Sequence, residues 1–92
     1  MKKMPINLPA EPSDPEDRDV SAEGMARGQR ARTIRMARKA LGLSQPEFAE
    51  RFRVPVGTLR DWEQARSLAP DFAMAYLRVI QAHPDLVASL VA

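Results

Sequence analysis

An all-α fold of five helices behind an N-terminal arm is what the sequence predicts, on three observations. Apolar residues recur at three- and four-residue spacing from Gln29 onward. Serine, proline and glycine stand where helices should start and stop. No segment alternates apolar and polar residues as a half-buried strand does. A chain of 92 residues allows one domain.

The first helix follows from Ile34, Ala37 and Leu41, one apolar stripe closed by Gly42 as a stop. Ser44 then serves as an N-cap, with Pro46 and Glu47 in the first turn, where a missing N–H and a negative charge are both favourable. Phe48, Ala49 and Phe52 form the apolar face of this second helix. Arg53-Val54 is a short connection, and Pro55 opens a third helix to about Gln64, with Leu59 and Trp62 facing inward. Pro70 and Asp71 start a fourth, to about Ala82, and Pro84 and Asp85 a short fifth. Residues 1–26 differ in kind. They carry Pro5, Pro9, Pro12 and Pro15 with few large apolar groups, so residues 1–19 read as disordered when free. Residues 20–26 could form a helical turn on a partner, weakened by Gly24. The expected division is therefore an arm, 1–26, and a folded domain, 27–92.

Charge divides the same way. Residues 1–26 hold Lys2, Lys3 and Arg18 against Glu11, Asp14, Glu16, Asp17, Asp19 and Glu23, a net of −3. The rest holds eleven basic residues, ten of them arginine, against six acids, a net of +5. Two partners of opposite sign fit such a chain, and the basic part suits phosphates. With no cysteine, disulfide frameworks and zinc fingers are excluded, and His83 is the lone histidine. The basic start lacks the apolar run of a signal peptide, and no stretch approaches the roughly 20 apolar residues of a membrane span. A soluble protein of a reducing cytoplasm is expected. No nucleophile–base pair, metal cluster or phosphate loop is visible, so neither an enzyme nor a cofactor is expected.

The segment from Leu43 to Arg66, L-S-Q-P-E-F-A-E-R-F-R-V-P-V-G-T-L-R-D-W-E-Q-A-R, carries the functional signal. It resembles the Xre/Cro-like helix-turn-helix family, with its S-Q-x-x-F-A and T-L-x-x-W-E signature. Counting Gln45 as the first residue of the two-helix unit, the family wants apolar residues at places four, eight, ten, fifteen and eighteen. Phe48, Phe52, Val54, Leu59 and Trp62 occupy them, and Ala49 is the small residue wanted at place five. Such a unit projects its second helix into the major groove. The sequence departs from the family at Arg53 and Ala65, where relatives usually place glycine in a left-handed conformation. Relatives also have a buried pair joining the first and third helices, here Arg38 and Glu63.

By the same resemblance, double-stranded DNA is the expected partner. Gln45 corresponds to a phosphate-clamping glutamine at the start of the second helix. Val56, Gly57, Thr58, Arg60 and Asp61 should face the groove, and Arg66 is placed for phosphate. Chemically, Val56 suits a thymine methyl, Arg60 a guanine or phosphate, and Asp61 cytosine N4, unless Asp61 simply pairs with Arg60 or Arg66. Gly57 would contribute close approach of the backbone.

The A-Y-L-R-V-I-x-x-x-P stretch and the acidic arm are further similar to HigA-like or BrnT-partner antitoxins, which neutralise RelE-superfamily RNase toxins. The implied function is a bacterial, nucleoid-associated repressor that autoregulates its operon and blocks a toxin through its arm. Ile6, Leu8, Val20, Met25 and Ala26 would be the arm's apolar anchors. The alternatives are a stand-alone phage-type repressor without a toxin, and an adaptor that does not read DNA. The fourth helix carries two apolar stripes, Ala73/Leu77/Ile80 and Phe72/Tyr76/Val79, and a monomer needs only one. The second, with Leu86, Val87, Leu90 and Val91, is expected to bury against a second copy and read a palindromic operator.

Overall fold

The computed structural model describes residues 21–92, which form five helices and no strand. They are α1 (Ala22–Ala40), α2 (Gln45–Phe52), α3 (Val56–Glu63), α4 (Asp71–Ala82) and α5 (Pro84–Leu90). No helix among the described residues is long and apolar enough to cross a membrane. Helix α1 packs on α3 and α4, α2 on α3 and α5, and α4 on α5.

The core is built from the faces that spacing predicts. Ile34 and Ala37 of α1, Phe48, Ala49 and Phe52 of α2, Leu59 of α3, and Ala73, Leu77 and Ile80 of α4 are all buried. The rings of Phe48 and Phe52 lie 4.9 Å apart and tilted, one helical turn apart on the same face. Val54 and Trp62 are half-buried at its edge.

Local chemistry sets the helix ends. At the end of α1, Leu43 N–H donates to the Arg38 carbonyl and Gly42 N–H to that of Lys39, around Gly42 at φ 73°. This is a Schellman closure, which needs a left-handed residue. Ser44 and Glu47 form a complete capping box on α2: Ser44 Oγ accepts from Glu47 N–H at 3.2 Å, and Glu47 Oε1 from Ser44 N–H at 2.8 Å.

Two expectations need correction. Helix α1 starts at Ala22, seven residues before Gln29, so Met25 and Ala26 are already helical without a partner. Ser21 caps it, its Oγ accepting from Gly24 N–H at 3.1 Å, and Glu23 supplies a first-turn negative charge. Val87 also belongs to this chain's own core, at 5% exposure, because the inward face of α5 closes over α2 and α4.

Arg53 and Ala65 do take up the left-handed conformation, at φ 62° and 59°. Ala65 sits in a Schellman closure, with Arg66 N–H donating to the Asp61 carbonyl at 2.9 Å and Ala65 N–H to that of Trp62 at 3.1 Å. A side chain there costs on the order of 1 kcal/mol or more, which glycine avoids apart from its larger unfolded-state entropy. Ala65→Gly is therefore expected to stabilise the domain by roughly 0.5–1 kcal/mol, a rise of a few degrees in Tm. A Tm equal to or below wild type in a thermal melt contradicts this. Arg53→Gly should gain less, because the Arg53 Nε–H bond to the Val91 carbonyl (3.0 Å) is lost with it.

Candidate nucleic-acid interface

The site is organised around a buried charge. Glu63, at the end of α3, has a side chain only 1% exposed. Arg38 of α1 meets it with two parallel bonds, Nε to Oε2 at 2.8 Å and Nη2 to Oε1 at 2.9 Å. The remaining Arg38 nitrogen, Nη1, donates to the Leu43 carbonyl at 2.9 Å, fixing the turn into α2. Arg35 Nη1 donates to the Glu63 carbonyl at 2.9 Å. Gln45, the first residue of α2, donates from Nε2 to Glu63 Oε1 at 3.0 Å. One carboxylate thus ties three helices together. Burial alone pushes its pKa up. The hydrogen bonds from Arg38 and Gln45 and the charges of Arg38 and Arg35 outweigh that, holding it below the ordinary 4.5.

Outside this anchor lies the surface that a duplex could meet. Gly57 and Arg60 are exposed on α3, while Val56, Thr58 and Asp61 are half-buried. A Cβ at Gly57 would meet nothing within 4 Å. Arg60 Nε donates to Gln45 Oε1 at 3.4 Å. Asp61 pairs with Arg66 rather than Arg60, at 3.2 Å. The Arg66 side chain is 64% exposed and that of Asp61 48%, and a pair so open to solvent contributes little to stability and exchanges readily.

The structure therefore brings Gln45 and Arg60 together, and Asp61 with Arg66. The partnership of Gln45 with Glu63 is absent from the sequence reading. Its only sequence signal is a polar residue, Gln45, at the foot of a helix whose neighbour ends in a buried acid. Among the anchors assigned to the arm, Met25 is exposed and Ala26 half-buried on α1, while Ile6, Leu8 and Val20 lie outside the described residues. Of the residues assigned to self-association, Phe72, Val79, Leu86 and Leu90 are exposed. Tyr76 is half-buried, and its hydroxyl donates to the Phe52 carbonyl at 2.8 Å, so it also pins α4 to α2. No group of three or more potential metal-ligating residues occurs among the described residues.

The helix-turn-helix family model HTH_3 matches residues 34–87, more than half of the chain. The chain belongs to the helix-turn-helix family. It is also similar to a solved structure, described as that of an HTH XRE-family like protein from Agrobacterium tumefaciens. The two share 46% identity and a TM-score of 0.62, over 64% of this chain and 95% of that one. No curated protein matches the chain. As a member of the helix-turn-helix family the protein is a DNA-binding transcription regulator and not an enzyme. The matched residues contain all of α2, α3 and α4 and the last two turns of α1, including Arg38 and Glu63.

Removing one partner of a buried pair strands the other, at a cost of about 3–5 kcal/mol. Glu63→Gln is thus expected to lower Tm by more than about 10 °C at pH 7. The pair also sets an acid limit. A carboxyl titrating lower in the folded than in the unfolded chain contributes fully above about pH 4.5, and that contribution fades as pH falls through the folded value. Thermal melts from pH 7 to pH 3 should show wild-type stability falling in the acid range and the variant falling less. Parallel curves for the two proteins would remove Glu63 as the source.

Proposed function

We propose that the protein is a sequence-specific transcriptional repressor that reads a palindromic operator as a homodimer. We further propose that it is the antitoxin of a type II toxin–antitoxin module, autoregulating its operon and neutralising an RNase toxin of the RelE superfamily. It would act in the bacterial cytoplasm, on the nucleoid. The observation that carries the DNA reading is the outer face of α3, held against α2 by the buried Glu63 network. That face leaves Gly57 and Arg60 in solvent with Val56, Thr58 and Asp61 half-buried; in this reading these five meet base edges, with Gln45 beside Arg60 and Arg66 at the end for phosphate.

Self-association is supported by the apolar groups left in solvent on α4 and α5. Phe72 and Leu90 are 74% exposed, Leu86 55% and Val79 51%. Burying such groups stabilises by about 25 cal/mol per Å² of apolar surface, and Tyr76 adjoins them. A two-fold pair would set two α3 helices about one turn of duplex apart. The antitoxin role is supported by composition: residues 1–26 are acidic and proline-rich, and a protein that cleaves RNA must present a basic surface. In this reading Ile6, Leu8 and Val20 anchor the arm, and Met25 and Ala26 continue the contact from the first turns of α1.

Arg60→Ala should weaken specific operator binding by about 1–3 kcal/mol in a mobility-shift titration on the gene's upstream DNA. A wild-type protein with no preference over random duplex at near-physiological salt sinks the repressor reading. Light scattering at tens of micromolar should give the mass of a dimer, and a monomer mass argues against the pairing. Deleting residues 1–20 spares Ser21 and α1, so operator binding should persist while neutralisation of a co-expressed neighbouring toxin is lost. Growth rescued by the truncated protein moves neutralisation to α4 and α5. The absence of any toxic neighbour leaves a stand-alone repressor.

A further inference from the structure

We propose that Gln45 is a positioning residue for Arg60, holding the guanidinium at Nε so that both terminal nitrogens are left for a base edge. The inference rests on the reading of Arg60 as a base-contacting residue. It differs from the phosphate-clamping role that the family resemblance implies for Gln45.

The chemistry of the contacts sets the orientation of the Gln45 amide. An ionised carboxylate only accepts, so the end of the amide facing Glu63 Oε1 at 3.0 Å must be the NH2 group. The carbonyl oxygen then faces away from the anchor. There it accepts from Arg60 Nε at 3.4 Å, an end that can only donate. Reversing the amide would set acceptor against acceptor and donor against donor, so the two contacts enforce one another. The anchor itself is immobile, because Glu63 is buried and doubly bonded to Arg38.

Arg60 needs such help more than its neighbours do. It is exposed, long and rotamer-rich, and ordering it on DNA costs conformational freedom. A bond at Nε restricts the side chain and leaves Nη1 and Nη2 as the parallel donors that guanine O6 and N7 accept. At 3.4 Å this bond is long, so it biases the orientation and tightens only when a base is in place. The line runs from Arg38 through Glu63 and Gln45 to Arg60, from the core to the reading surface.

A phosphate clamp and a positioning residue leave different signatures, so the test measures specificity and salt dependence together. Full-length wild type, Gln45→Ala, Arg60→Ala and the double variant are titrated on the upstream operator and on copies with single base-pair changes, over a range of salt. Gln45→Met, which keeps the length of the side chain, is run beside Gln45→Ala, and melts confirm that each variant is folded at the assay temperature. Arg60→Ala and both Gln45 variants should lose discrimination at the same base pair, on the order of tenfold, with the double variant no worse than Arg60→Ala. The salt slope of the Gln45 variants should equal that of wild type. Uniform weakening on all operators with a slope smaller by about 1 identifies a phosphate contact and overturns the proposal. Discrimination lost in Arg60→Ala but kept in the Gln45 variants overturns it too. If wild type discriminates and Arg60→Ala discriminates equally well, Arg60 reads no base, and the proposal falls while the repressor function stands. A wild type without discrimination removes both.

Discussion

The structure depends on a carboxylate placed where water cannot reach it. Glu63 closes α3, and its burial would be prohibitive without partners of opposite charge and good geometry. Arg38 supplies two bonds with the planar fork that suits a carboxylate, and spends its third contact on the Leu43 carbonyl. Gln45 takes up a remaining lone pair on Oε1, and Arg35 covers the Glu63 backbone carbonyl. Each partner comes from α1 or the start of α2. Apolar groups in place of the network would not specify direction as these bonds do. An apolar contact between α1 and α3 tolerates sliding. A bidentate pair with a third ligand does not.

Loop geometry carries the complementary constraint. Each helix of the two-helix unit is followed by a left-handed residue, and here both carry side chains. At the turn between α2 and α3 the side chain has a use: Arg53 reaches across to the Val91 carbonyl and ties the end of α2 to the residue that follows α5. Strain at that φ is offset by a long-range contact that glycine could not make. No such contact is seen for Ala65, so its strain has no visible compensation. The two departures from the family pattern are alike in backbone and unlike in cause.

Much of this is legible in the sequence. Ser44 with Glu47, Gly42 after the Leu41 stripe, and Pro55, Pro70 and Pro84 at helix starts are local signals, and local chemistry decides helix ends. The apolar places of α2, α3 and α4 were legible because one face of each must be buried. What escaped is what local pattern does not encode. The first turns of α1 are nearly all polar or small, so periodicity has nothing to read there, and only Ser21 marks the start. Val87 could be assigned to either side of α5 until α5 was seen packed on α2 and α4. The bond from Gln45 to Glu63 spans 18 positions between two helices whose relative placement the sequence does not state.

The proposed interface therefore combines two kinds of electrostatic contact that would respond oppositely to a duplex. Inside, the Glu63 network is shielded from water and salt, and approaching phosphates will not rearrange it. Outside, Asp61 and Arg66 form an exposed pair at 3.2 Å that is weak and screened. Bringing a phosphate near this pair attracts Arg66 and repels Asp61, so the pair opens at little cost. In the proposed docking Arg66 would be released to the backbone, and Asp61 would be stranded unless a donor such as cytosine N4 lay within reach. In the proposed docking, backbone contact by one residue would thus be conditional on a base contact by the other. An acid on a DNA-facing helix weakens binding to most sequences and is tolerated at the right one, so in the proposed docking Asp61 would discriminate through repulsion rather than attraction.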